Sequence, residues 1–328
     1  NQKLFSIGNF DFRLQHLLII GILILSFSIS ALLRSSPIIY DTELFEYDPF
    51  FNFRATEYLV NNNLDDYLNW NDDKSWHPFG RNVSDTSQVT LHITTAILYK
   101  IFNFGMPLYD FTIFFPVFIG SLTSILVFGF VRVLGGTTAG LFASLMFAVS
   151  VPIFVRGFIG WFKSEPLGLF FGFVAIYLFI SGIKNDKGKI SLLKLAGAGL
   201  FLSLALSSWG GALFFVIAVF LFYFILPFLK DKTHFTLYAI PTFSISLILS
   251  LLIFERTSSF LFGYGGLMIL LPTIFVIISD IIKKFSHETT QIRNCLIFLI
   301  SIISSGILIV SLSSISLPTF RYLNAVNP

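Results

Sequence analysis

The chain has 328 residues, of which 55% are hydrophobic and 12% charged, and its mean hydropathy is +0.82. Because soluble domains carry about 25% charged residues, this composition indicates a membrane protein and excludes a soluble domain over most of the length. The net charge of +3 is too small for a nucleic-acid-binding protein, so no nucleic acid partner is expected. The single cysteine, Cys295, excludes an internal disulfide and a multi-cysteine metal site.

Nine apolar segments follow one another along the chain, each close to the roughly 20 residues that cross a bilayer. They lie near 15–35, 109–132, 137–155, 166–183, 191–208, 210–229, 235–254, 259–282 and 295–316. We therefore expect an all-α polytopic membrane protein with about nine transmembrane helices. One large loop, 36–108, separates the first two spans.

The basic residues of the short loops predict the orientation, because Lys and Arg in such loops face the cytoplasm. They are Lys3, Arg13, Lys184, Lys187, Lys189, Lys194, Lys230, Lys232, Lys283, Lys284 and Arg293. In a nine-span topology all of them fall on one side of the membrane. The N-terminus is thus expected to be cytoplasmic and the loop 36–108 external.

The external loop concentrates the acidic residues, since 37–110 holds eleven of the eighteen in the chain. Any chemistry is therefore expected at the outer face. Within the loop, 49–62 and 88–102 have apolar residues at helical spacing. These two segments are expected to be amphipathic helices, either lying along the interface or packing against the spans. His92 is expected to be an interface or packing residue.

Two acids at the start of the loop, Glu46 and Asp48, allow two interpretations. In an extended segment, residues two apart point the same way, so both carboxylates could face one hard divalent cation. Alternatively, Asp48 before Pro49 is a common helix start, with Asp as the N-cap and Pro in the first helical position. The spacing alone leaves both open.

A second acid precedes a proline at Glu165, at the start of the fourth predicted span and on the same external side. Arg156 lies nine residues before it, at the end of the third span. The pair is expected either as an ion pair at a helix end or as part of a site shared with Asp48.

Three segments of the chain are distinctive: FEYDPFFNFRATEYLV (45–60), LNWNDDKSWHPFGR (68–81) and SSWGGALFFV (207–216). In this order they resemble the catalytic subunit of oligosaccharyltransferase, the membrane enzyme of N-glycosylation. The resemblance runs from about residue 37 to the end. The family's patterns are roughly E-F-D-P-W-F-N-Y-R-A-T, W-Y-P-L-G-R and S-W-G-G, and we expect an archaeal member.

The resemblance implies a C-type glycosyltransferase membrane domain. Such an enzyme moves an oligosaccharide from a lipid-linked, dolichyl-type phosphate donor to the Asn of an N-x-S/T sequon in an acceptor polypeptide, with Mn²⁺ or Mg²⁺ as cofactor. By matched position, Asp48, Glu165 and Arg156 are the catalytic candidates, with Asp48 and Glu165 as metal ligands. The active face would be extracytoplasmic, at an archaeal cell membrane or in the ER lumen if the source is eukaryotic. Further site candidates are Glu46, Lys163, Trp76, His77 and Arg81.

The sequence departs from the family at "KSE", where Lys163 stands in place of the first acid of the second acidic motif; His77 likewise replaces an aromatic residue. The Lys163 ammonium either pairs with Asp48 or Glu165 and stands in for the metal, or snorkels to the head groups while the acids hold a metal. Its presence favours an alternative function, a catalytically impaired homologue that binds lipid-linked sugar or scaffolds a membrane complex. A transporter is disfavoured because transporters keep such acids near the midplane. The family's further glutamate, four more spans and soluble domain are expected to lie beyond Pro328.

Overall fold

The computed structural model describes residues 3–7, 10–185, 188–229, 233–253 and 255–312. It is predominantly helical. The strands are β1 (Lys3–Ile7), β2 (Phe10–Arg13), β3 (Asn71–Asp72) and β4 (Arg81–Asn82). The helices are α1 (Leu14–Ser35), α2 (Tyr47–Asn61), α3 (Leu64–Leu68), α4 (Val83–Thr86), α5 (Val89–Phe102), α6 (Leu108–Val149), α7 (Val151–Phe154), α8 (Ser164–Asn185), α9 (Lys189–Ser208), α10 (Leu213–Ile225), α11 (Thr233–Leu251), α12 (Glu255–Phe262), α13 (Tyr264–Phe285) and α14 (Gln291–Leu312).

Within the described residues, six helical segments are long and apolar enough to cross a membrane. They are Leu14–Ile39, Leu108–Val149, Ser164–Lys184, Lys189–Ser208, Gly210–Phe228 and Gly265–Phe285. These segments support the predicted multi-pass membrane protein, and the count of nine spans stays a prediction. Lys187, Lys230, Lys232 and the end of the last predicted span, 313–316, lie outside the described residues.

Helix α6 is a hairpin. A straight helix of its 42 residues would be about 63 Å long, twice the roughly 30 Å of a hydrocarbon core. Gly136 interrupts it with φ 86° and ψ 178°, a backbone conformation that glycine adopts without steric cost. A Cβ placed on Gly140 would lie 2.8 Å from the carbonyl oxygen of Phe128 and 3.2 Å from Cβ of Arg132. The chain therefore reverses at Gly136, between arms 108–135 and 137–149.

Two predicted spans are interrupted within their predicted length. The second arm of α6 ends at Val149 and not near 155, because Ser150 is extended and a new short turn, α7, starts there with Pro152 near its beginning. The predicted span 259–282 is divided by Gly263, whose extended backbone separates α12 from α13. In both places a residue with weak helix preference interrupts an apolar run whose hydropathy is continuous.

The external loop folds as a small helical layer on the bundle. Helices α2 and α5 occupy the two segments where amphipathic helices were predicted, and Ala55, Leu59, Tyr67, Val83, Val89 and Ala96 form the core between them. Thr90 of α5 donates a hydrogen bond to Ser207 at the end of α9, with 2.7 Å between the hydroxyl oxygens. The layer is thus fixed against one end of the spans. At the N-terminus, β1 and β2 form an antiparallel pair that was not predicted.

Candidate functional site

The first acidic pair lies where the external loop enters α2. The helix begins at Tyr47, so Asp48 occupies its second position and Pro49 its third, while Glu46 is the N-cap residue. Asp48 does not cap the helix, and the segment 46–48 is not extended. The two carboxylates nevertheless face one cation, as one interpretation predicted, while Glu46 has the unusual backbone conformation φ 67° and ψ 179°.

That cation is the ammonium of Lys163. Its Nζ donates a hydrogen bond to Oε2 of Glu46 and lies 3.3 Å from Oδ2 of Asp48. Nζ also lies 4.5 Å from the ring centroid of Trp161, a distance at which a cation is attracted by the aromatic face. Partial burial lowers the pKa of Lys163, but the hydrogen bonds to Glu46 and Asp48 raise it, and the net shift is upward. The ammonium is therefore charged at neutral pH.

The loop before α8 packs closely against the segment that precedes α2. The backbone N–H of Phe45 donates to the carbonyl of Gly160 over 3.2 Å, and the N–H of Gly160 donates to the carbonyl of Ile113 over 3.0 Å. Gly160 has φ +76°, and a Cβ there would collide with the carbonyl oxygen of Glu43. Only glycine fits both the conformation and the space, and this close approach brings Lys163 to the acids.

The second acid, Glu165, sits in the first turn of α8 and faces Arg156. Nη1 of Arg156 is 3.8 Å from Oε1 of Glu165, and the guanidinium lies 5.5 Å from the ring centroid of Trp161. Arg156 is 57% exposed and Glu165 20%. Oε2 of Glu165 is buried and has no hydrogen-bond partner among the described residues. Trp161 thus lies between two cations, Lys163 and Arg156, each of which pairs with an acid.

A buried chain of hydrogen bonds joins this loop to the external layer. The Tyr67 hydroxyl and Nδ1 of His92 are 2.6 Å apart, and Nε2 of His92 is 3.1 Å from the amide oxygen of Asn52. The Asn52 amide nitrogen donates to the backbone carbonyl of Phe162 over 2.9 Å. Because the amide oxygen can only accept, Nε2 of His92 carries the proton and Nδ1 accepts from Tyr67. We call Tyr67, His92, Asn52 and the Phe162 carbonyl the relay.

The relay was not predicted from the sequence, because His92 was expected only at the interface or in packing. A signal was present, because polar residues recur on the inward faces of the two amphipathic helices. The structure buries Asn52, Thr56, Thr90, His92 and Thr95 there. Buried polar groups are almost always hydrogen-bonded, so such residues predict partners. The partner itself, a backbone carbonyl more than one hundred residues away, could not be read from the pattern.

Of the remaining candidates, Trp76 and Arg81 form a second group beside Phe51 of α2. The Arg81 guanidinium lies 4.0 Å from the ring centroid of Phe51 and 4.8 Å from that of Trp76. Its Nε donates to the Thr86 hydroxyl over 2.9 Å. His77 is exposed on the same loop. The structure therefore brings Glu46, Asp48 and Lys163 together and pairs Arg156 with Glu165, while Trp76 and Arg81 make their own cluster.

The residues at Lys163 do not fit a divalent metal ion as they stand. Within the described residues, no group of three or more His, Cys, Asp or Glu side chains could hold one. Glu46 and Asp48 share an ammonium instead, and hard cations such as Mg²⁺ require oxygen ligands. A metal ion between these two carboxylates would have to displace Lys163.

The family model "Oligosaccharyl transferase STT3, N-terminal" matches residues 22–317. The chain belongs to the STT3 family. This confirms the resemblance drawn from the three segments, and the protein is an integral, multi-pass membrane protein.

Two curated relatives carry the same family name. The chain is 30% identical over 181 residues to the dolichyl-diphosphooligosaccharide–protein glycosyltransferase subunit STT3 of Saccharomyces cerevisiae, covering 53% of this chain and 24% of the relative. It is 27% identical over 180 residues to subunit STT3B of Arabidopsis thaliana, covering 54% and 24%. The matched part thus represents about a quarter of each relative.

Solved structures of the archaeal oligosaccharyltransferase AglB from Archaeoglobus fulgidus share the fold. The complex with an inhibitory peptide and a dolichol-phosphate has a TM-score of 0.71 at 17% identity, covering 90% of this chain and 38% of that one. The complex with Zn and sulfate gives 0.70 at 17%, covering 88% and 40%. The form tethered to an acceptor peptide with the NVT sequon gives 0.69 at 16%, covering 92% and 40%. At this identity the likeness establishes the membrane fold alone.

Proposed function

We propose that this chain is the membrane part of an oligosaccharyltransferase. It would transfer an oligosaccharide from a lipid-linked, dolichyl-type phosphate donor to the Asn of an N-x-S/T sequon. The observation that carries the proposal is the meeting of Asp48 with the loop that bears Arg156, Lys163 and Glu165, in a chain of the STT3 family. The dolichol-phosphate and the sequon peptide bound to AglB support the same classes of donor and acceptor.

The acids would engage the acceptor amide. The Asp48 side chain is 75% exposed, so its carboxylate can accept a hydrogen bond from an incoming amide nitrogen while Oδ2 keeps Lys163. Oε2 of Glu165 lacks a partner among the described residues, and an unpaired buried acceptor costs about 1–3 kcal/mol. A substrate N–H would remove that cost. The two acids would thus orient the amide for attack, a positioning contribution.

The cations would engage the donor. Arg156 is more than half exposed beside Trp161, and a guanidinium matches the oxygens of a phosphate with two parallel donors. It would bind the lipid phosphate and stabilise the negative charge that develops on this leaving group. Orientation follows from the basic loops, which predict that this end of the bundle is extracytoplasmic.

A divalent metal ion is the cofactor to be considered for this function. The family resemblance implies Mn²⁺ or Mg²⁺, and a Zn-bound AglB structure supports a divalent ion in that relative. In this chain the Lys163 ammonium occupies the position between Glu46 and Asp48 that such an ion would need. The roles proposed for Asp48, Glu165 and Arg156 therefore involve no metal ion.

The test uses the full-length protein, lipid-linked oligosaccharide from its source membrane and a labelled N-x-T peptide, with glycopeptide detected by mass. We expect the unmodified protein to transfer the oligosaccharide. Asp48→Asn and Glu165→Gln should each lower the transfer rate at least about a hundredfold, as expected when a group that contacts the reacting atoms is removed. Asp66→Asn, an exposed acid on α3, is the matched control and should retain full activity. Equal loss in the control, or unchanged transfer in Asp48→Asn, would refute the assignment.

Two further outcomes are informative. A protein of residues 1–328 alone is expected not to transfer, because the matched relatives extend well beyond this part. The second candidate function, a homologue that binds lipid-linked sugar without transferring it, is favoured by Lys163. Donor binding that Arg156→Met abolishes, without any glycopeptide from the full-length protein, would establish that alternative.

A further inference from the structure

The arrangement of Glu46, Asp48 and Lys163 leads us to infer that this site contains its own cation. The Lys163 ammonium fills the position between the two carboxylates and excludes a divalent metal ion from it. The inference deepens the proposed function, because it concerns the cation of the same site. Its direct test, however, is metal binding and does not require transfer.

The ammonium is held by three groups at once. Glu46 accepts its hydrogen bond, Asp48 lies 3.3 Å away and the Trp161 ring 4.5 Å away. The Lys163 side chain is only 13% exposed. A snorkelling lysine extends its charge into water or head groups, whereas this one directs its charge into the protein surface. The snorkelling alternative is therefore inconsistent with the geometry.

The backbone that carries Lys163 is also fixed. Its own N–H donates to the carbonyl of Trp161 over 2.7 Å, and Gly160 ties the loop to Phe45. The preceding residue, Phe162, is held through its carbonyl by Asn52, the last side chain of the relay. Because both the loop and the ammonium are anchored, moving Lys163 aside for a metal ion would break several contacts together.

Glu46 supplies an independent indication. Its φ of 67° with ψ 179° is a conformation that non-glycine residues adopt only when their surroundings require it, typically at functional sites. In that conformation its carboxylate pairs with Lys163. The backbone strain at Glu46 therefore completes the ammonium site.

A divalent ion and this ammonium cannot share the carboxylates. At contact distances near 4 Å, like charges repel strongly wherever water screens them poorly. The ion would also lose one or both of the oxygen ligands that Lys163 occupies. We therefore expect that affinity for Mn²⁺ rises when the charge of Lys163 is removed, and rises further when a carboxylate replaces it.

The experiment titrates Mn²⁺ into the full-length protein in detergent and follows free Mn²⁺ by electron paramagnetic resonance. The variants are Lys163→Gln, Lys163→Asp and the control Lys74→Gln, an exposed lysine of the same external loop. We expect Lys163→Gln to bind Mn²⁺ at least about tenfold more tightly than the unmodified protein, a difference of about 1.4 kcal/mol. Lys163→Asp should bind more tightly still, and Lys74→Gln like the unmodified protein. Adding Glu46→Gln to Lys163→Gln should remove the gain.

Each result of the titration either supports or overturns the inference. If the unmodified protein binds Mn²⁺ as tightly as Lys163→Asp, and Asp48→Asn abolishes that binding, the inference is overturned. If Lys163→Asp does not fold, judged by its thermal unfolding, Lys163→Gln decides alone. The unmodified protein also decides without any lysine variant, because Mn²⁺ binding that depends on Asp48 contradicts a filled site. A protein that shows the expected metal pattern yet transfers no glycan refutes the proposed function and leaves this inference standing.

Discussion

His92 gives the sharpest quantitative prediction. Its imidazole is completely buried between Tyr67 and Asn52. Burial, with a smaller contribution from the Arg81 charge, lowers the pKa of His92 to about 3. In the unfolded chain a histidine titrates near pH 6.5. Between these values the unfolded state binds a proton that the folded state does not, so the free energy of unfolding falls as the pH falls.

The size of the effect follows from the pKa difference. Each pH unit below 6.5 costs about 1.4 kcal/mol of stability until the folded pKa is reached. Acidification from pH 6.5 to pH 5 should therefore remove about 2 kcal/mol through His92 alone. Well above pH 6.5 the histidine is neutral in both states and contributes no pH dependence. The contribution of neutral His92 to stability is therefore complete at neutral pH and is lost progressively as the pH falls from 6.5 toward 3.

The measurement is the free energy of unfolding in mild detergent at pH 8, 6.5 and 5, for the unmodified protein and two variants. His92→Gln cannot titrate and should lose about 2 kcal/mol of the acid sensitivity. His92→Leu should lose it too, and should be about 2–4 kcal/mol less stable at pH 8, because the Tyr67 hydroxyl and the Asn52 oxygen lose their partner. His77→Gln, at an exposed histidine, is the control that keeps the acid sensitivity. Equal pH dependence in His92→Gln and the unmodified protein would refute the argument.

Three further predictions follow. Gly160→Ala should destabilise far more than Gly105→Ala, since both have positive φ (+76° and +83°) but only Gly160 is crowded; the open site should cost about 1 kcal/mol, measured by thermal unfolding. Arg54→Met should cost about 3 kcal/mol, because it leaves the buried carboxylate it pairs with uncompensated, and an effect below 1 kcal/mol would contradict this. Single cysteines at the exposed positions of Asp73 and Lys284 should react with an impermeant maleimide from opposite sides of the membrane; labelling of both from one side would refute the predicted orientation.

Much of the membrane architecture could be predicted because it depends on local properties. Hydropathy over about 20 residues identifies segments that can cross a bilayer, and α1, α8 and α9 begin and end within two residues of the predicted spans. The interruptions were less predictable. The break between α12 and α13 at Gly263 is set by a single residue within an apolar run. The β1–β2 pair was not predicted because its strands are short, and their sequence pattern is weak compared with the nine long apolar segments.

The candidate site was predictable only in part, for a different reason. The acids were found because acid–proline pairs stand out at the start of apolar segments. The expectation that Glu46 and Asp48 face one cation and the expected pairing of Lys163 with Asp48 are confirmed, whereas the extended backbone and the capping role of Asp48 were wrong. The hydrogen-bond partner of Lys163, Glu46, lies 117 positions away in the sequence, and its pairing with Lys163 was not predicted. Contacts over such separations depend on how Gly160 and Asn52 fix the loop. No local pattern contains that information.

The two helix starts also account for the charge balance of the site. Asp48 and Glu165 each occupy the second position of a helix, with a proline in the third, and carboxylates are favoured there because a helix N-terminus carries about half a positive elementary charge. With Glu46, three carboxylates face two cations, Lys163 and Arg156. The two helix ends offset about one further negative charge, so the site is close to neutral without any metal ion. A divalent ion added to these groups would leave an excess of positive charge, whereas displacing Lys163 first would restore the balance only in part. The local preference for acids at helix starts and the inferred resident ammonium are thus two parts of one electrostatic arrangement.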